Sequence, residues 1–431
     1  MKSTLRKQAL ILTAANVATR GIGFAMRLLF ARCMQAEALG VMEMASSVSM
    51  LAMTPVTAGI PTAMSRLSAK KVSKADQTAV LHAGVDMVSR MSWMLMPAML
   101  VLSPAAAWLL GDLRTLPTIW AGIPAILLCG LCGVYGGYCF GTGRAQLPAR
   151  FECLEQCVRF CLAAVLLMLM QKDDLSITAA LPVIAESVSA LLVVCLFRRA
   201  ISVKKASSES DEQLQRMIWQ LAWPMILARF CVTGTRMMNA VLLPLCLRRS
   251  GLSASAATAQ YGLLTGMAMP LMMLPGVVTG ALCTVSTPVV SKLDGKPSMR
   301  RMVRKLYGVG FGIGVAAAAG LFVFSSFIGQ SIYHQPALSP LIRVMTPITL
   351  LASVRQVQFG VVAGLGLQRK ALMGTISSSA VSLIVSAWLV PLPSLRLYGA
   401  ALAMILGQCV AVLWNAAILR CSQRKMSAQA A

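Results

Sequence analysis

Twelve stretches of predominantly apolar residues follow one another along this chain, at about 8–31, 40–64, 83–110, 118–141, 152–170, 178–197, 219–246, 256–284, 305–330, 341–367, 371–392 and 398–419. About 20 such residues are enough to cross the hydrocarbon core of a bilayer as an α-helix. Hydrocarbon supplies no hydrogen-bond partners, so a backbone placed there must satisfy its own N–H and C=O groups, and a chain of this pattern folds as a bundle of helices. Composition agrees: 57% of the 431 residues are hydrophobic and 12% are charged, against about 25% charged in a soluble domain. The expected fold is an all-α polytopic membrane protein of about twelve transmembrane helices.

A net charge of +25 could point to nucleic acid, but its placement argues otherwise. With the N-terminus inside, the inner connections hold 25 basic residues, counting Lys305 at the edge of the ninth stretch. The outer connections hold 6, and 8 lie within the spans. This is the positive-inside pattern, which puts both termini in the cytoplasm and makes anionic inner-leaflet lipid the bland partner of the basic loops. No nucleic-acid partner is expected. The N-terminal run (MKSTLRKQALILTAANVATRG) has no small-residue cleavage site and reads as the first span. The 13 cysteines fall mostly in apolar spans without histidine neighbours. Cys129, Cys132, Cys153, Cys157 and Cys161 therefore read as small apolar fillers, with no metal site and no cofactor expected. No GxxxxGK[ST] loop and no nucleophile–histidine arrangement occurs, so neither ATP hydrolysis nor other enzyme chemistry is expected.

The longest polar connection, 198–218, separates six spans from six. It defines an N-terminal lobe at 1–197, a cytoplasmic linker at 198–218 and a C-terminal lobe at 219–421. The halves also echo each other. Arg20 and Arg27 in the first span are seven apart, as are Arg229 and Arg236 in the seventh, and each pair is followed by a long span ending in small residues and proline. Six helices per half preserve orientation, so the expected symmetry axis runs along the membrane normal, with a site between the halves. Glycines in span four (Gly130, Gly133, Gly136, Gly137, Gly141) and Pro270, Pro275 and Gly276 in span eight suit close packing or bending.

Eight arginines lie within the spans: Arg20, Arg27, Arg90, Arg159, Arg229, Arg236, Arg343 and Arg355. A charge at membrane depth costs several kcal/mol unless it faces water or a partner. Arginine adds a planar fork of donors matched to phosphate and carboxylate oxygens. Seven helical residues turn through about 700°, so each seven-spaced pair shares one face at about 10 Å along the axis. Arg20, Arg27, Arg229 and Arg236, with Arg355 as a fifth member, are therefore candidates to hold a diphosphate. Asp86–Arg90 and Glu155–Arg159 are four apart and are expected to form structural ion pairs within their helices. Arg343, at the outer edge of its span, is expected to meet headgroups. Glu43 and Glu186 have no basic neighbour in sequence; each is a candidate to couple an ion or to neutralise an arginine from another helix.

The segments TRGIGFAMRLLFAR (19–32), GIPTAMSRLSA (59–69), LEQCVR (154–159) and QYGLLTGMAMPLMMLPGVVTGALCTVSTPVVS (260–291) resemble the stage V sporulation protein B group. That group lies in the polysaccharide-exporter branch of the MOP flippase superfamily. The resemblance runs through essentially the whole chain. It implies a MATE-like fold of two six-helix lobes in the bacterial cytoplasmic membrane. It also implies flipping of an undecaprenyl-diphosphate-linked saccharide, such as the peptidoglycan precursor lipid II, with spore-cortex synthesis as the setting. First-span cavity arginines matter in related lipid II flippases; Arg20 matches that pattern directly, Arg27 with a shift of one position, and Arg229 occupies a comparable place in the second lobe. Relatives of this type often have fourteen spans, the extra pair being associated with a groove for the lipid tail, whereas about twelve are counted here.

Three function classes stand at this stage. A lipid-linked oligosaccharide flippase working by alternating access accounts for the arginines. A multidrug or cation antiporter of the same fold would call for acidic and aromatic cavities, and aromatic residues are 6% of the chain. A membrane scaffold that recruits cell-wall synthases is the non-transport alternative.

Overall fold

Each of the twelve apolar stretches lies chiefly on helix in the computed structural model, which describes residues 2–70, 73–170, 174–201, 211–292 and 298–429. No strand occurs among the described residues. Among the described residues, eight helical segments are long and apolar enough to cross a membrane, or nine if the bent pair Ala254–Met272 and Gly276–Cys283 is one span. Two further helices, α7 (Gln146–Leu169) and α15 (Leu338–Gly364), are long enough but carry more polar side chains, among them Glu152, Glu155 and Arg159, and Arg343, Arg355, Gln356 and Gln358. The first span lies on α1 (Lys2–Cys33), whose side chains are described from Val17 onward. Many large apolar side chains are exposed along the helices, for instance Trp93, Met94, Val101, Trp108, Met168 and Trp388. A surface this apolar suits lipid and not water.

Contacts divide the chain into Met1–Val241 and Leu242–Ala431, a division that falls within the long helix α9 (Asp211–Arg249). The linker expected at 198–218 lies partly outside the described residues: Arg198–Ala200 prolong α8 (Leu175–Ala200), and α9 begins at Asp211.

In the first unit, α2 (Ala36–Thr57) is a central element, packed by α4 (Lys74–Leu110), α5 (Leu116–Ala121), α6 (Ile123–Gly141) and α8. Every residue from 38 to 45 is buried. Gly59 breaks the second span: its φ of +79° is left-handed, a region that disfavours any side chain. A Cβ there would also meet the carbonyl oxygen of Ala222 on α9 at 2.5 Å. α3 (Ile60–Lys70) restarts immediately, with Pro61 at its second residue, where a missing N–H costs nothing. The glycines of span four serve close packing. A Cβ on Gly133 would meet Pro61 at 2.8 Å, one on Gly141 would meet the Ser65 carbonyl at 2.5 Å, and one on Gly137 would collide with the Pro61 carbonyl. α6 therefore offers α3 a groove floored by backbone.

In the second unit α15 is central, packing on α12 (Gly276–Lys292), α13 (Ser298–Val323) and α17 (Arg396–Gln429), while α16 (Gln368–Leu389) packs on α17. Val290, Leu306, Val357, Val361 and Leu419 belong to its apolar core. The eighth span runs through α10 (Ala254–Gly262), a π-helical turn at Leu263–Ala268 and α11 (Met269–Met272), then bends by 51° into α12. Pro275 and Gly276 sit at that bend, one lacking an amide donor and the other with open space where a side chain would begin.

Overpacking a backbone-floored groove costs about 1–3 kcal/mol. Gly137→Leu is expected to lower the thermal unfolding temperature of the detergent-purified protein. Gly234→Ala, at a helical position with nothing within 4 Å, should leave it unchanged or raise it slightly.

Candidate functional site

Glu43 stands in the fully buried stretch of α2 from 38 to 45, with its side chain 6% exposed. A carboxylate so enclosed must be matched by donors or cations from the protein itself. Two arginines supply them. Arg27 Nη1 on α1 donates to Glu43 Oε1 at 3.2 Å, and Arg236 Nη2 on α9 donates to Glu43 Oε2 at 3.0 Å. The carboxylate is thus divided, one oxygen to each guanidinium. Each arginine spends one of its five N–H groups there and keeps about two fifths of its side-chain surface open, 42% for Arg27 and 41% for Arg236. Arg20 and Arg229, two turns earlier on the same helices, are both exposed.

α9 meets the rest of the first unit at further points along its length. Arg90 Nη2 donates to Gln215 Oε1, Ala222 seats on Gly59, and the hydroxyls of Thr233 and Thr54 lie 3.1 Å apart. The bond to Gln215 replaces the pairing expected within α4: Asp86 and Arg90 form no ion pair among the described residues, and both are exposed. An i, i+4 spacing permits a pair but does not compel one when a donor can reach a neighbouring helix.

The same correction applies to Arg159. Its Nη2 lies 2.8 Å from Glu186 Oε2 on α8, and no Glu155–Arg159 ion pair occurs among the described residues. Glu186, without a basic neighbour in sequence, has its cation across a helix–helix contact. This pair borders a cavity of about 650 Å³ whose lining includes Glu152, Glu155, Cys129 and Cys132. Phe197, also on its wall, stacks on Tyr135 at 5.6 Å and meets Phe151 edge-on at 4.8 Å. The cavity is therefore acidic, three carboxylates against one guanidinium. Among the described residues no group of three or more His, Cys, Asp or Glu is placed to hold a metal ion.

In the second unit Arg355 Nη1 donates to Gln408 Oε1 at 3.0 Å, and the buried Gln358 donates to the Val412 carbonyl at 3.1 Å, so both join α15 to α17. Arg343 bonds the hydroxyls of Ser325 and Ser326 at 2.8 and 2.7 Å. Gln215, Gln408, Thr54 and Thr233 were invisible as partners in the sequence. Neutral polar residues at arbitrary separations carry no pattern.

The sequence profile described as polysaccharide biosynthesis protein matches residues 5–294, more than half of the chain. The chain belongs to the polysaccharide biosynthesis protein family. Stage V sporulation protein B of Bacillus subtilis (strain 168) is 29% identical to this family member over 435 residues, covering 96% of this chain and 83% of that protein. A multidrug resistance MATE family transporter of the MOP superfamily, solved in an inward-facing conformation, superposes with a TM-score of 0.73 at 16% identity, covering 97% of this chain and 96% of that one. The lipid II flippase MurJ in an inward closed conformation gives 0.70 at 14% identity, covering 95% and 87%. Those likenesses establish the fold: the family member is an all-α, multi-pass membrane protein with a MATE-like architecture.

The cross-helix pair has a direct check. Breaking one partner of a largely enclosed ion pair costs about 1–3 kcal/mol where each side chain keeps some solvent exposure. Arg159→Glu should lower thermal stability in detergent by that order, and Arg159→Glu with Glu186→Arg together should recover most of it. An unchanged melting temperature in the single variant would show that the pair does no structural work.

Proposed function

We propose that this protein is a flippase that carries an undecaprenyl-diphosphate-linked saccharide, a lipid II-like peptidoglycan precursor, across the bacterial cytoplasmic membrane by alternating access. The observation that carries this reading is the convergence of Arg27 and Arg236 on one buried carboxylate, with the open part of each fork available to an anion. Phosphate oxygens match a guanidinium fork better than a lysine point charge. Arg20 and Arg229, both exposed residues, extend the same two helices with two more arginines. An exposed arginine in a spanning helix is costly against hydrocarbon and far cheaper against a water-filled path. The family description and the lipid II flippase among the structural neighbours support the same reading.

The scheme that goes with it has lobes at 1–197 and 219–421 and both termini in the cytoplasm. Arg355 then acts as a further member of the anion path, with spore-cortex synthesis as the setting and cell-wall synthases as partners. Both oxygens of Glu43 are engaged by arginines, which favours neutralisation over ion coupling at that residue. Glu186 keeps one oxygen outside its ion pair and borders the acidic cavity, so it is the better coupling candidate of the two.

That cavity also favours a second reading, a cation or multidrug antiporter, because Glu152, Glu155 and Glu186 outnumber Arg159. A drug-efflux assay in a sensitised host separates the two.

Arg20→Ala and Arg229→Ala should each abolish flipping of a labelled lipid-linked saccharide in proteoliposomes, a loss of tenfold or more at about 1.4 kcal/mol per decade, with expression intact. Normal flipping in both variants would overturn the arginine-lined path.

A further inference from the structure

The flippase reading uses the arginines and leaves open what Glu43 does for them. Three facts bear on this. Glu43 is enclosed at 6% exposure while its two partners keep 42% and 41% of their side-chain surface open, so the carboxylate is the enclosed member of the trio and the arginines are its accessible members. Each oxygen serves one arginine, so the forks are held apart by no more than a carboxylate and two hydrogen bonds, a span that two linked phosphates match. The three groups together carry one net positive charge, whereas a diphosphate diester carries two negative charges.

We propose that Glu43 is the positioning and specificity-determining residue of the anion site, aligning the Arg27 and Arg236 forks as one donor surface for a diphosphate and limiting how tightly that surface holds it. The inference rests on the flippase reading of the same site. The arginines come from α1 and α9, helices joined here through α2, and Glu43 fixes both in one register. Its charge also opposes the incoming anion. A carrier must bind on one side and release on the other, so affinity beyond what loading needs slows the cycle. When the diphosphate leaves, the carboxylate already in contact keeps both arginines paired, and the empty site holds no uncompensated carboxylate.

The test uses the full-length protein in proteoliposomes, with undecaprenyl diphosphate and undecaprenyl monophosphate as binding probes and a labelled lipid-linked saccharide for turnover. Glu43→Gln keeps the shape and an acceptor but removes the charge. It should tighten undecaprenyl diphosphate binding by roughly two- to thirtyfold, the range for one unit charge about 8 Å away between water-like and protein-like dielectrics. Turnover should fall with KM, a joint shift that a merely structural role does not produce. Glu43→Asp keeps the charge but withdraws it by one methylene. It should leave diphosphate affinity no tighter and erode the preference for diphosphate over monophosphate, and it serves also where the Gln variant does not fold. Wild-type affinity and preference in whichever of these variants folds would overturn the role of Glu43. Arg27→Ala and Arg236→Ala separate the two levels. If neither weakens undecaprenyl diphosphate binding, the flippase reading of this site fails; if both do while the Glu43 variants match wild type, only the inference about Glu43 fails.

Discussion

A charge carried into hydrocarbon has to bring its partner from within the protein, and the structure around Glu43 is organised by that demand. The carboxylate lies in the part of α2 most enclosed by other helices, where it could not remain ionised alone. Arg27 and Arg236 meet it from α1 and α9, helices far apart in sequence. The same requirement explains Arg159 with Glu186, Arg355 with Gln408 and Arg343 with two serine hydroxyls: each of these three cations has its partner on another element. These bonds settle which helices stand together where dispersion between apolar faces and lipid tails discriminates little.

Steric fit does the complementary work. The glycines of span four let α3 lie against the backbone of α6, and the left-handed Gly59 lets α9 seat where the second span breaks. In the second unit Pro275 and Gly276 mark a bend of 51°. The same residue types therefore serve two ends: in span four they set a distance of approach, and in span eight they set a direction. Position decides between these uses: the span-four glycines face neighbouring helices, whereas Gly276 follows Pro275 at a break in the helix.

The fold was legible to a large extent. Apolar runs long enough to span a bilayer are a local property, and each of the twelve read from the sequence lies chiefly on helix. The stage V sporulation protein B resemblance agrees with the family match and with the relative of that name. α7 and α15 fall short of the apolarity of the other long helices because they carry polar side chains, Glu152, Glu155 and Arg159 on one and Arg343, Arg355, Gln356 and Gln358 on the other. Of the site, the arginines themselves were legible, since charged residues stand out in apolar spans and their sevenfold spacing sets a common face. Their partners were legible only in part: Glu43 and Glu186 stood out as acids that could neutralise an arginine from another helix, but nothing local said which arginine each would meet. Asp86 and Glu155 sat at the right spacing for Arg90 and Arg159, and in both cases a residue on another helix took the bond.

The sequence by itself determined the solvent, the helical class and the faces on which the arginines lie, because hydropathy and helical periodicity act over one or two turns. Only the tertiary structure decided that Arg236 shares a carboxylate with Arg27 across a separation of 193 residues. Pairing at such range depends on which helix faces which, and that is settled by the summed packing of the bundle. No local pattern encodes it, which is why two arginines on one face of the same helix, Arg229 and Arg236, end in different surroundings, one exposed and the other bound to Glu43.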